Sequence, residues 1–171
     1  MIIYNVTIMN VYFVCTGNAC RSPLAACILK KKLEDRGIEA SVASAGTLDW
    51  GRNPRDEFYV KLSKEKGYTL DGESRFIGDI EACREMDNAD LVFIFEEKHR
   101  IKVERFLKYV NWDRITLFME YCYGEKKDLD DPNNGTDALY RNVFDIIEKG
   151  CDIILDRIQE LLEPSQSAEC Q

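Results

Sequence analysis

The stretch Val11-Tyr-Phe-Val-Cys15-Thr-Gly-Asn-Ala-Cys20-Arg21-Ser22-Pro23 governs how the rest of the chain is read. An apolar, β-favouring run stops at a cysteine, a short loop with one glycine follows, and Arg21, Ser22 and Pro23 open an amphipathic segment. Strand, tight loop and helix start in that order make a nest of backbone N–H groups suited to a phosphate-sized anion. A helix N-terminus already carries partial positive charge, so a cation there is locally unfavourable. Arg21 is accounted for if an anion sits between the two positive ends, gripped bidentately by the planar guanidinium. The same field favours Cys15 in its thiolate form, the form that attacks. The segment points to cysteine-based phosphoryl transfer.

Two plainer explanations compete with it. Cys15 and Cys20 could begin a zinc site, but structural zinc usually takes a second close pair downstream; none is present, and His99 is the only histidine. Cys15 could also be a small core residue, since free cysteines are often buried. The nest, in contrast, uses every position from Cys15 to Ser22.

Outward from this loop, apolar runs alternate with helical patterns, which predicts an α/β fold with a parallel sheet. A first strand is expected over Asn10–Val14. Ser22 then reads as an N-cap, with Pro23 at the first helical position and Gly37 ending the helix after Arg36. A second strand fits Ala40–Ala45, and a helix opened by Pro54 runs towards Gly67. A helix is expected over Gly78–Asn88. Leu91-Val-Phe-Ile-Phe95 has the continuous apolar character of a strand buried on both faces. A helix over Lys98–Tyr109, a fourth strand over Ile115–Phe118, a polar segment over Met119–Gly135 and a last helix from Thr136 to about Leu162 complete the pattern. The expected architecture is a single domain over residues 1–163, with a four-stranded parallel sheet, helices on both faces and the phosphate-binding loop after the first strand. Residues 164–171 read as a disordered tail, and Met1–Met9 as a further edge strand.

The chain has 171 residues, 45% hydrophobic and 32% charged, the composition of an ordinary soluble globular protein. A net charge of −8 argues against nucleic acid and anionic membrane as partners. The anion site would then be a local positive pocket in a negative molecule. Seven cysteines without a regular framework point to free thiols in a reducing compartment. Met1–Val14 lacks the basic start and cleavage site of a signal peptide, and no stretch approaches the roughly 18 apolar residues of a membrane span. A cytoplasmic location is expected.

The loop Val14-Cys-Thr-Gly-Asn-Ala-Cys-Arg-Ser-Pro23 resembles the phosphate-binding loop of the low-molecular-weight protein tyrosine phosphatases. The likeness continues through Ser44-Ala-Gly-Thr47, Trp50, Asn53-Pro-Arg55, Ser74-Arg75 and Asp131-Pro132, and so spans most of the chain. It implies the same four-stranded sheet and hydrolysis of phosphotyrosine in protein substrates. Neither a metal nor another cofactor is expected, and the expected state is a monomer or weak dimer.

In that chemistry Cys15 attacks phosphorus while Arg21 and the amides of Thr16, Gly17, Asn18, Ala19 and Cys20 hold the equatorial oxygens. Gly17 permits close backbone approach, Asn18 tolerates a left-handed conformation, and Ser22 donates to the Cys15 sulfur. The resemblance implies that the general acid is the Asp of an Asp-Pro pair on the loop before the last helix. Asp131-Pro132 is the only such pair, with Asp130 a rival beside it. It also implies that Cys20 forms a reversible disulfide with Cys15, against the alternative of a small buried residue, and that Trp50 walls the substrate slot rather than covering the core.

The chain departs from the family pattern in three places. Asn133-Asn134 replace the aromatics common after Asp-Pro, Asp71-Gly-Glu73 precede Ser74-Arg75 without the usual histidine, and Glu96-Glu-Lys-His99 replaces Asp-x-Ser-Asn. Protein arginine phosphatases share the scaffold and Thr16. Ala19 matches neither their usual threonine nor the larger aliphatic of the tyrosine enzymes. An arsenate reductase would need redox cysteines just past the third strand, and Phe93–His99 has none. A non-catalytic phosphate or peroxide sensor would have no use for Asp131.

Overall fold

A computed structural model describes residues 8–108 and 111–162. Four strands, β1 (Met9–Cys15), β2 (Ala40–Gly46), β3 (Leu91–Ile94) and β4 (Ile115–Leu117), form one sheet in the order β2-β1-β3-β4. All neighbours are parallel, with Val14 opposite Ala45 and Ile94, and Ile94 opposite Leu117. β1 therefore lies inside the sheet, and successive side chains go to opposite faces. Val11, Phe13 and Cys15 join one core, and Tyr12 and Val14 the other.

The first core is closed by α1 (Arg21–Asp35), α2 (Glu57–Glu65), α5 (Phe118–Tyr123) and α6 (Asp137–Leu162), with α1 packed along α6. The second is closed by α3 (Ile80–Asp87) and α4 (Lys98–Phe106). Connections leave β1 for β2 on one side and reach β3 on the other, so the strand order reverses between β1 and β3. Ligands in open α/β sheets bind at such a switch point, beyond the carboxyl ends of the strands. Cys15 and the residues after Ile94 lie there together.

Several boundaries differ from the expected ones. α1 begins at Arg21, with Cys20 as its N-cap and no side-chain cap, so Ser22 lies in the first turn and does not cap it. Gly37 does end the helix, at φ +67°. Pro54 does not open α2; it pairs in an isolated antiparallel bridge with Glu73, and Asp56 caps the helix through Tyr59 N–H at 3.0 Å. β4 stops at Leu117 because Phe118, expected to end the strand, already belongs to α5, whose other residues lie in the segment expected to be polar. Phe118, Met119 and Cys122 are buried there, and Gly124 ends the turn at φ +70°. α6 accommodates this short helix through Gly150, where a Cβ would lie 2.3 Å from the Phe118 ring. No helix among the described residues is long and apolar enough to cross a membrane. The expected tail over 164–171 and almost all of the Met1–Met9 strand lie outside the described residues, although Met9 itself begins β1.

Candidate active site

The loop from Cys15 to Cys20 is held from outside by its carbonyls. Cys15 O accepts from Thr47 N, Thr16 O from Leu48 N and Ala19 O from Asp56 N, at 2.9, 2.9 and 3.1 Å. Gly17 O accepts from the Trp50 indole at 2.9 Å, and Asn18 O from the Arg55 guanidinium. In a planar trans peptide the carbonyl and the following N–H point in opposite directions. With every carbonyl from Cys15 to Ala19 turned outward, the amides of residues 16–20 face the hollow of the loop, an anion nest. Asn18 N–H, 3.3 Å from Cys15 Sγ, shows the direction.

Asn18 holds the curl. It is fully buried at φ +52°, a conformation that asparagine adopts more readily than most residues. Its amide nitrogen donates to Ser22 Oγ and Ser44 Oγ, both at 2.9 Å. Its side-chain oxygen accepts from Arg55 at 2.9 Å and from Arg75 N–H at 3.0 Å, so its hydrogen-bonding capacity is used in full. Ser22 Oγ lies 3.0 Å from Cys15 Sγ. Because Ser22 accepts from Asn18, its own proton is available to that sulfur, with Ala45 O a longer alternative at 3.4 Å.

Gly46 presses against the back of the loop. A Cβ there would stand 2.6 Å from Thr16 O and 2.9 Å from Asn18 N, both backbone atoms. Gly46→Ala is expected to cost about 1–3 kcal/mol in a denaturant melt, the usual penalty for overpacking, and to lower activity by deforming the nest. Unchanged stability and rate would mean that the loop yields freely.

Arg21 is 1% exposed, a cation at a helix start that needs compensation. Its NH1 donates to Leu129 O at 2.7 Å, and its NH2 to Glu96 at 2.7 Å and Asp131 at 2.6 Å. Its buried Nε has no hydrogen-bond partner among the described residues. Burial works to raise the Glu96 carboxyl, but hydrogen bonds from Lys98 and Arg21 outweigh it and hold the group below the usual carboxylate range. Burial pushes the Cys20 thiol well up, so Cys20 stays protonated, and neither it nor Cys15 is in a disulfide.

A cavity of about 130 Å³ opens above the loop. Cys15, Thr16, Gly17, Ala19, Cys20 and Arg21 line it from the loop and helix start, and Leu48, Trp50, Asp131 and Asn133 line the rest. Trp50 is 46% exposed, so it walls the cavity rather than filling the core. Asp131 Oδ1 accepts from Asn133 N–H at 3.1 Å, which aims the carboxylate inward. Asp130 is exposed and does not line the cavity. Among the described residues, no three His, Cys, Asp or Glu side chains are arranged to hold a metal ion. The arrangement can seat a tetrahedral oxyanion against a sulfur nucleophile, with a carboxyl group above it.

The family model of low molecular weight phosphotyrosine protein phosphatases matches residues 10–164. The chain belongs to that family. Similar to this phosphatase is a protein-arginine-phosphatase of Bacillus subtilis (strain 168), 31% identical over 142 residues, 82% of this chain and 91% of that protein. The low molecular weight protein-tyrosine-phosphatase PtpA of Staphylococcus aureus (strain bovine RF122 / ET3-1) is 28% identical over 158 residues, 88% of this chain and 94% of that one. The crystal structure of a protein tyrosine phosphatase from Entamoeba histolytica matches with a TM-score of 0.77 at 25% identity, over 89% of this chain and 97% of its own.

The expected site residues of this phosphatase come together around one cavity, with Asn18 and Ser22 behind it. Arg55, Arg75 and Ser44, quoted in the sequence only as parts of the resemblance, complete the Asn18 network. Glu96 stands out in the sequence only as a departure from the family pattern, and His99 as that and as the chain's only histidine, yet Glu96 grips Arg21 and His99 touches Thr16 at 3.0 Å.

Proposed function

We propose that the chain is a protein tyrosine phosphatase working through a phosphocysteine, with Cys15 as nucleophile, Arg21 as phosphate clamp and Asp131 as general acid. The observation that carries it is the pairing of inward-facing amides with an Arg21 Nε that has no hydrogen-bond partner among the described residues. A phosphoryl group in the nest places oxygens on those amides and on the Nε/NH2 edge of the guanidinium, the bidentate geometry that Arg supplies. Asp131, which pairs with Arg21 NH2, is then displaced towards the leaving oxygen.

Cys15 Sγ attacks phosphorus in line, the P–O bond breaks, and Asp131 gives its proton to the departing phenolate. Water then attacks the phosphocysteine, the Asp131 carboxylate takes a proton from that water, and the S–P bond breaks to release inorganic phosphate. The Ser22 hydroxyl steadies the sulfur as it leaves. Trp50, an exposed aromatic that lines the cavity, can pack against a substrate ring, which favours phosphotyrosine over phosphoserine. We infer that the protein works as a single domain on phosphorylated proteins in the cytoplasm.

The Bacillus relative's name favours phosphoarginine as a second reading of the same cavity. Phosphotyrosine, phosphoarginine and phosphoserine peptides assayed side by side decide between them. Faster turnover of phosphoarginine would replace the substrate assigned here. Arg21→Lys is expected to lower kcat/KM by about 10²–10³-fold, the scale for losing a transition-state donor, because a point charge cannot make the fork. A lysine variant with near-wild-type turnover would remove the clamp role.

A further inference from the structure

His99 is the only histidine in the chain and is 1% exposed, at the switch point between β1 and β3. Its Nδ1 lies 3.2 Å from Glu96 N–H, and its Nε2 lies 3.0 Å from Thr16 Oγ1. A backbone N–H can only donate, so Nδ1 must be the unprotonated nitrogen. A neutral ring then carries its proton on Nε2 and donates it to Thr16. That uses a lone pair of the Thr16 hydroxyl and leaves the hydroxyl proton for a ligand in the cavity that Thr16 lines.

The same ring braces the segment that carries Glu96. Nδ1 accepts from the Glu96 backbone, and Glu96 Oε1 lies 3.6 Å from Nε2 while it grips Arg21 NH2 at 2.7 Å. One buried ring thus touches both halves of the anion site: the loop next to the sulfur, and the carboxylate that aims the guanidinium. We propose that His99, as a neutral Nε2–H imidazole, is a positioning residue for phosphoryl transfer, orienting the Thr16 hydroxyl and fixing Glu96 on Arg21. The proposal rests on the phosphatase reading of the site.

The surroundings keep the ring neutral. Burial, with Arg21 and Lys98 nearby, outweighs the pull of Glu96 and Asp128 and lowers His99 to about 4. A charged ring would turn Nδ1 into a donor against the Glu96 N–H and place a cation beside Arg21. In the unfolded chain the histidine takes up its proton near pH 6.5, whereas in the folded chain it does so near 4. The unfolded state therefore binds more protons in that window, and stability falls as pH falls through it.

Because the chain has one histidine, nitrogen-15 NMR of the imidazole is unambiguous. The expected spectrum at pH 6.5 is the neutral Nε2–H tautomer, with titration only near pH 4. His99→Leu is expected to lower kcat about 10–100-fold with a smaller change in KM, since the loss falls on groups that hold the transition state. His99→Gln, which keeps an amide donor near the ε position, recovers part of it and flattens the loss of stability between pH 6.5 and 4. Thr16→Val, which removes only one of the two contacts, lowers kcat by no more than His99→Leu does, and the double variant Thr16→Val/His99→Leu is no worse than His99→Leu alone. An Nδ1–H or charged ring at pH 6.5, an unaltered kcat in His99→Leu or His99→Gln, or additive losses would overturn the proposal. If His99→Leu does not fold, the wild-type spectrum and His99→Gln still decide. A wild type that hydrolyses none of the phosphopeptides would instead defeat the phosphatase reading, leaving the tautomer and its titration measurable.

Discussion

Cys15→Ser is expected to lower turnover of every phosphopeptide by about 10⁴–10⁶-fold, the range seen when a nucleophile or its partner is removed from an enzyme that works as a unit. A serine hydroxyl ionises far less readily than a thiol, and among the described residues no basic side chain is hydrogen-bonded to the sulfur of residue 15. Sγ accepts from Asn18 N–H and lies 3.0 Å from the Ser22 hydroxyl; both partners can donate a hydrogen bond and neither is a base that removes a proton. Binding should survive the change. The bonds that turn the loop carbonyls outward run to Thr47, Leu48, Trp50, Arg55 and Asp56, and none of them passes through the sulfur. Isothermal titration with inorganic phosphate should therefore give nearly wild-type affinity while single-turnover hydrolysis disappears. Substantial hydrolysis by the variant would remove Cys15 from the chemistry. Loss of both binding and hydrolysis would mean that the sulfur helps to hold the loop together.

The parts of this fold that were legible in the sequence are those governed by local pattern. β3 is a continuous apolar run because both its faces are covered, and β1 ends where the loop composition changes. The parts that were not legible are those where a distant contact overrules a local signal. Ser22 carries the hydroxyl of a helix cap, but its oxygen is drawn to Cys15 and Asn18, and the helix starts two residues earlier than expected, at Arg21. Pro54 is a helix-start signal, yet the chain stays extended there, and the next residue, Arg55, reaches Asn18. α5 is only six residues long, too short to show a helical period, and its reason for existing is the apolar contact of Phe118 with α6. In the site, Cys15, Arg21 and Asn18 could be read from one loop because the loop is local. Glu96 and His99 reach it only because β3 pairs with β1, a relation that spacing along the chain does not record.

Asp131→Asn is expected to slow alkyl and unactivated aryl phosphates by about 10²–10⁴-fold, the usual worth of general acid catalysis. A poor leaving oxygen cannot depart without a proton, and an amide has none to give at neutral pH. A strongly activated aryl phosphate should lose much less, because its phenolate leaves unaided. The geometry adds a second expectation. Asp131 Oδ2 accepts from Arg21 NH2 at 2.6 Å, and Asp131 Oδ1 accepts from Asn133 N–H at 3.1 Å. The asparagine oxygen can keep the contact with Asn133, but its nitrogen would then face Arg21 donor to donor. The variant frees Arg21 for the ligand, so inorganic phosphate should bind at least as well as in the wild type. Asp130→Asn should change neither rate nor affinity, since that side chain is exposed and lies outside the cavity. A large loss in Asp130→Asn with a small one in Asp131→Asn would move the acid to Asp130. Equal losses on activated and unactivated substrates, together with weaker phosphate binding, would make Asp131 a strut for Arg21 and not a proton donor.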